Sequence, residues 1–169
     1  MSTDYLIIGV GNSLRGDDGA GWVLAEQLGS DLAARGANQG VTVQVRLAQQ
    51  LLPELAAEIA ELAPAVLVIA DCAVGAEEVR LQRIEQAAPG EPLDSHGLTA
   101  AQLLAFAVRL YEFRADAWLA TVPGANFAHG AGLSDATTAA IAAALPLMRA
   151  QLSRLRQRAA QMQPAQTPA

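Results

Sequence analysis

Two adjacent carboxylates, Asp17 and Asp18, lie within a glycine-rich stretch, GVGNSLRGDDGAGW, at residues 9–22. Asp71 and Cys72 follow the apolar run AVLVIA, and His96 stands in DSHGLT. Two carboxylates and an imidazole make an oxygen, oxygen, nitrogen set that suits a first-row divalent metal. A glycine loop after a strand is also how dinucleotide-binding folds cradle phosphate. Spacing and charge oppose that use here. Gly9 and Gly11 fit G-x-G-x-x-G, but the next glycine is Gly16. Asp17 and Asp18 already occupy the positive field at a helix N-terminus, where a phosphate would be repelled. The loop is therefore a weak match to a nucleotide-binding loop.

Each of these residues also has a plain structural role. Aspartate before or in a first helical turn is a common cap, which explains one of the pair well and both less well. If Asp17 is such a cap, asparagine should replace it at little cost. Asp71 also fits a strand-end acid held by loop amides. His96, followed by Gly97, fits a loop histidine. Cys72 reads as a small buried residue, because no local signature marks it as a nucleophile. His129, in NFAHGAG, has no partner in sequence. Trp22 and Trp118 read as core or surface-covering residues. What favours a site is joint placement: Asp18, Asp71 and His96 are expected to converge at one solvent-accessible cleft.

The elements that must position them alternate between strand and helix. Residues 5–9 form a buried strand ended by glycine, followed by a helix over 18–34 with Ala20, Leu24, Leu28 and Leu32 on one stripe. GVTVQVRL alternates and predicts a half-buried strand. Pro53 opens a helix holding Leu55, Ile59 and Leu62 inside. AVLVIAD is a continuous apolar run and predicts a central strand. EEVRLQRIE alternates weakly and predicts an edge strand. Thr99 with Gln102 makes a capping-box pattern, and Leu103, Phe106 and Leu110 supply that helix's buried face. DAWLATV is another short buried strand. Ser134 begins a last helix with Ile141, Leu145, Met148, Leu152 and Leu155 along one side, and Pro146 should kink it. Such alternation implies an α/β fold with a mostly parallel sheet and helices on both faces. Ligands of these sheets bind beyond the carboxyl ends of the strands, where Asp17, Asp18, Asp71 and His96 fall.

Composition bounds the rest. At 169 residues, 52% hydrophobic and 17% charged, the chain reads as one globular domain over 1–156 with a frayed tail over 157–169. A net charge of −6 argues against nucleic acid and anionic membranes as partners. One cysteine allows no disulfide framework and implies a cytoplasmic location. The N-terminus carries no basic segment and no long apolar stretch, so no signal peptide or membrane span is expected.

GVGNSLRGDDGAGW, QQLLPELA, VIADCAVG, DSHGLT and GAGLSDATTAAI together resemble the NiFe-hydrogenase maturation proteases. The similarity runs in order from about residue 5 to about residue 155. The pattern G-x-G-N-x-L-x-x-D-D/E-x-x-G is its most specific part. The resemblance implies a three-layer α/β/α sandwich around a five-stranded, mixed and mostly parallel sheet, with EEVRLQRIE as the antiparallel strand. It implies an endopeptidase that removes the C-terminal extension of a hydrogenase large-subunit precursor after nickel insertion. Carried onto this chain, the family's ligands are Asp18, Asp71 and His96, acting through nickel borne by the substrate; zinc or cadmium would also suit the site in vitro. Gly11, Asn12 and Asp17 are then expected to meet substrate, and the chain to be a monomer. It departs from some members in RLAQQLLPEL, which has no acid between the strand and Pro53, and in NFAHGAG, which has Ala128 and His129 after the aromatic. The rival readings are a non-catalytic nickel-sensing chaperone of the large subunit, a nucleotide-binding module and a generic zinc peptidase.

Overall fold

A computed structural model describes residues 3–88 and 97–162. The apolar run at the start becomes β1 (Tyr5–Val10), buried along its whole length. It leads through a short 3-10 turn at Gly16–Gly19 into α1 (Ala20–Gly36), whose Ala20, Leu24, Leu28 and Leu32 are all buried, as the stripe requires. β2 (Val43–Ala48), α2 (Glu54–Leu62) and β3 (Val66–Val74) follow. A short β4 (Arg80–Arg83), α3 (Ala100–Tyr111), β5 (Asp116–Gly124) and α4 (Asp135–Met162) complete the order.

The five strands lie in the order β2-β1-β3-β5-β4. β1 pairs in parallel with β2 and β3, and β3 in parallel with β5, while β4 runs antiparallel along β5. β3 is the middle strand, as its unbroken apolar run predicts. The weakly alternating segment is the antiparallel edge. α1 and α4 cover one face, where Leu24, Leu28, Ile141 and Leu152 meet Ile7, Val66 and Val68. α2 and α3 cover the other, where Ile59, Leu103 and Ala107 meet Leu6, Ile8, Leu67 and Ile69. This is the expected three-layer arrangement.

Thr99 and Gln102 do form the capping box: the Gln102 N–H donates to Thr99 Oγ1 at 3.2 Å, and the Thr99 N–H to Gln102 Oε1 at 2.9 Å. The far end of α3 departs from expectation. Leu110 is 65% exposed and does not join the buried face. The helix stops at Glu112, in the left-handed region at φ 56, and its N–H returns to Val108 O. Phe113 then folds back, donates to Ala107 O and is buried in the α2/α3 layer. A hydrophobic residue just past a left-handed cap takes the place the last helical turn would have filled.

α4 runs through Pro146 as one element and on to Met162, so the helix continues six residues into the segment expected to fray. Leu155 packs on the core, and Arg156 NH1 pairs with Asp4 Oδ1 at 3.2 Å, which holds this stretch against β1. α1 and α4 are also joined by Asp31, which accepts from Arg149 at 2.7 Å and Arg35 at 2.8 Å. The Arg149 bond, opposed by burial and aided by Arg35, holds the Asp31 carboxyl below its ordinary value. A lowered folded value means a stabilisation complete above about pH 5 and lost as pH falls toward it. The stability gap between the parent and Asp31→Asn in urea melts should therefore be larger at pH 7 than at pH 3. An equal gap at both values would sink this assignment.

Candidate active site

β1 delivers the chain to the glycine loop at its carboxyl end. Gly11 sits at φ +139, and a Cβ there would lie 1.9 Å from the Asp18 carbonyl oxygen. The loop doubles back tightly: Asn12 N–H donates to Asp18 O at 3.2 Å, and Asp18 N–H to Arg15 O at 3.1 Å. Gly11 and Asn12 thus hold the Asp18 backbone. The glycines bring backbone against backbone, and no phosphate is needed to explain them. Asp18 is left half-buried on the turn that opens α1.

Asp71 stands near the carboxyl end of β3. Strand alternation separates it from its neighbour. Cys72 packs with Val66, Val68 and Ala70 on the α1/α4 side, while Asp71 falls in the register of Leu67 and Ile69 on the α2/α3 side. Burial pushes the Asp71 carboxyl above its ordinary value; the Cys72 N–H, 2.8 Å from Oδ1, pulls it down; the charge of Asp18 pushes it up again. The Asp18 charge therefore reaches Asp71. α1 sits directly on this strand end, since a Cβ on Gly21 would lie 3.0 Å from the Asp71 Cα.

His96, the third expected ligand, lies outside the described residues. From Gly97 the chain runs beside the β2–α2 connection, where Leu98 N–H donates to Leu51 O at 3.1 Å. Among the described residues, no three Asp, Glu, His or Cys side chains cluster as a metal site. Asp18 and Asp71 supply two oxygens, a donor pair suited to a hard or borderline divalent cation. His129 is exposed on the β5–α4 loop.

Cys72 is a poor nucleophile. Burial first, then the charges of Asp71, Asp18 and Asp17, push its thiol up to about 12. The thiolate is the reactive form and is scarce at neutral pH under such a shift. Its sulfur instead fills the space over Gly124, where a Cβ would lie 2.4 Å away. Cys72→Ala should keep parental activity toward the substrate proposed below. Loss of activity, with circular dichroism unchanged, would point to a thiol mechanism.

Asp17 differs from every role foreseen for it. It is fully buried, caps neither the 3-10 turn nor α1, and offers no surface to a substrate. Its Oδ2 accepts from the N–H groups of Ala125 and Asn126 and from Ser134 Oγ, and its Oδ1 from the Ser134 N–H. Burial pushes its carboxyl up, but these donors outweigh it and hold the group well below the ordinary carboxylate range. Ser134 in turn caps α4 by accepting the Thr137 N–H. The partners lie more than a hundred positions along the chain, so no local pattern around Asp17 signals them.

No protein-family model matches the chain, and no curated protein matches it in sequence. Solved structures do match it in three dimensions. The NiFe hydrogenase maturation protease HycI from Thermococcus kodakarensis superposes with a TM-score of 0.66 at 21% identity, covering 89% of this chain and 93% of the other. The hydrogenase maturating endopeptidase HybD from E. coli gives 0.61 at 20%, covering 90% and 93%. The fold is that of the hydrogenase maturation proteases. An endopeptidase from Escherichia coli agrees, with a TM-score of 0.62 at 22% identity over 90% and 93% of the two chains. Within this fold, Asp18 lies on the turn after β1 and Asp71 in the carboxyl-terminal half of β3, toward the end at which open α/β sheets bind ligands. Among the described residues, no helix is long and apolar enough to cross a membrane.

Proposed function

We propose that the chain is a maturation endopeptidase that removes the C-terminal extension of a NiFe-hydrogenase large-subunit precursor after nickel insertion, acting in the cytoplasm. The observation that carries this reading is a fold shared with such proteases, in which the Asp18 charge acts on Asp71. Nickel arrives as part of the substrate. Asp18 and Asp71 present oxygen ligands to it, with His96 as the expected nitrogen ligand. Two like charges held near each other are stabilised by a cation between them, so a nickel-loaded precursor docks where an unloaded one is not drawn in. Asp71, whose burial raises its affinity for protons, serves as the base that takes a proton from an attacking water.

The test is incubation of the purified chain with large-subunit precursors, with and without nickel, followed by mass measurement of the product. Shortening only of the nickel-loaded precursor is the expected result. Shortening of both would remove the nickel requirement. Binding of the loaded precursor without any shortening would favour the chaperone reading.

A further inference from the structure

The buried carboxylate of Asp17 has no part in the chemistry above, yet it is the most heavily bonded side chain near the site. Its two oxygens collect four donors: Ala125 N–H at 2.9 Å, Asn126 N–H at 2.9 Å, Ser134 Oγ at 3.0 Å and Ser134 N–H at 2.7 Å. These come from both ends of the loop that joins β5 to α4. Backbone bonds lace the same loop onto the glycine loop: Gly16 N–H to Ala131 O, Asp17 N–H to Asn126 O at 2.7 Å, and Gly130 N–H to Leu14 O at 2.8 Å. Packing is equally close, since a Cβ on Gly16 would lie 2.4 Å from Asn126 O and one on Gly124 3.2 Å from the Asp17 Cβ. The next residue in the chain is Asp18.

We propose that Asp17 is a positioning residue: by gathering both ends of the 125–134 loop on one buried carboxylate, it locks that loop to the glycine loop and fixes where Asp18 stands before substrate arrives. Only an anion meets the demand. Three N–H groups and a hydroxyl converge on two oxygens, and a neutral amide turns one of those acceptors into a donor facing donors. A site residue held in place before binding loses less on ordering when substrate docks. The catalytic half of the proposal rests on the processing reaction; the positional half does not.

The experiment uses full-length Asp17→Asn and two readouts. Amide exchange should quicken about tenfold or more at Ala125, Asn126 and Ser134, and also at Asn12, whose N–H reports on Asp18, while residues 6–8 and 66–69 stay protected. At a temperature where circular dichroism shows the variant folded, kcat/KM on nickel-loaded precursor should fall about tenfold or more. Faster exchange at the loop, with parental values at Asn12 and in kcat/KM, would make Asp17 a loop staple only and overturn the proposal, as would parental exchange throughout. Should Asp17→Asn not fold, Ser134→Ala replaces it, deleting one donor of the four. It should show the same pattern at a smaller size, and parental exchange at Asn12 in that variant overturns the proposal equally. If the parent itself cuts no precursor, the proposed function falls, and the exchange pattern alone decides the positioning.

Discussion

Asp18→Asn is expected to abolish precursor processing and leave the melting temperature almost unchanged. Among the described residues, no hydrogen bond or ion pair holds the Asp18 carboxylate. Its folding role is confined to a negative charge beside the start of α1, worth at most about 1 kcal/mol. Against that gain stands its repulsion of Asp71, a smaller contributor than burial to the raised Asp71 value. Removing the charge loses the first and relieves the second, so the two effects offset. For function there is no such offset. An amide is a neutral and far weaker ligand for a divalent cation than a carboxylate, and the isosteric change preserves shape. The fraction of nickel-loaded precursor cleaved, measured beside the melting curve, separates the outcomes. Cleavage at the parental rate would place Asp18 outside the site.

The neighbouring position teaches the opposite lesson about what a sequence exposes. From GDDG alone, Asp17 and Asp18 are interchangeable, and Asn is a fair exchange for a helix cap. In the folded chain they divide completely. Asp18 is free to serve a ligand, and Asp17 is committed to donors 108 to 117 residues away. Nothing local distinguishes them, because three of the four donors are backbone amides that almost any residue carries and the fourth is a distant serine hydroxyl. Asn at position 17 is therefore expected to be the more damaging change to the fold, a reversal of the reading that treats it as a cap.

Elements whose signal is local were legible. The capping box of Thr99 and Gln102, the stripe on α1 and the central position of β3 all follow from residues within a few turns of one another. The exposure of Leu110 was not legible, because it depends on Phe113 folding back past a left-handed cap. Nor was the extension of α4 to Met162, which depends on Asp4 meeting Arg156 across 152 positions. In the site, the turn after β1 that carries Asp18 was readable from the strand pattern, whereas β3 runs on to Val74, past the apolar run after which Asp71 was placed. Which face of the sheet Asp71 takes, and which Cys72 takes, required the packing of the two helical layers.

Gly21→Ala should be among the most destructive single-methyl changes available to this chain. Glycine in a helix interior is usually a liability, and alanine there gains roughly 0.8–1 kcal/mol. Position 21 reverses the sign. A Cβ would lie 2.2 Å from the carbonyl oxygen of Val10, 2.5 Å from that of Ala70 and 3.0 Å from the Asp71 Cα. All three atoms belong to strand backbones that cannot rotate away, so α1 must lift from β1 and β3 toward their carboxyl ends. Overpacking of this kind costs about 3 kcal/mol or somewhat more, which outweighs the propensity gain and leaves a net loss of about 2–3 kcal/mol. For a domain of this size that is a fall of about 4–12 °C in melting temperature. Processing should fail as well, since the helix that lifts begins just after Asp18 and rests on Asp71. Gly132→Ala is the control: no heavy atom lies within 4 Å of its added Cβ, so its melting temperature should match the parent. If Gly21→Ala melts with the parent and still cleaves precursor, the close approach of α1 to the two strand ends is not what assembles this site.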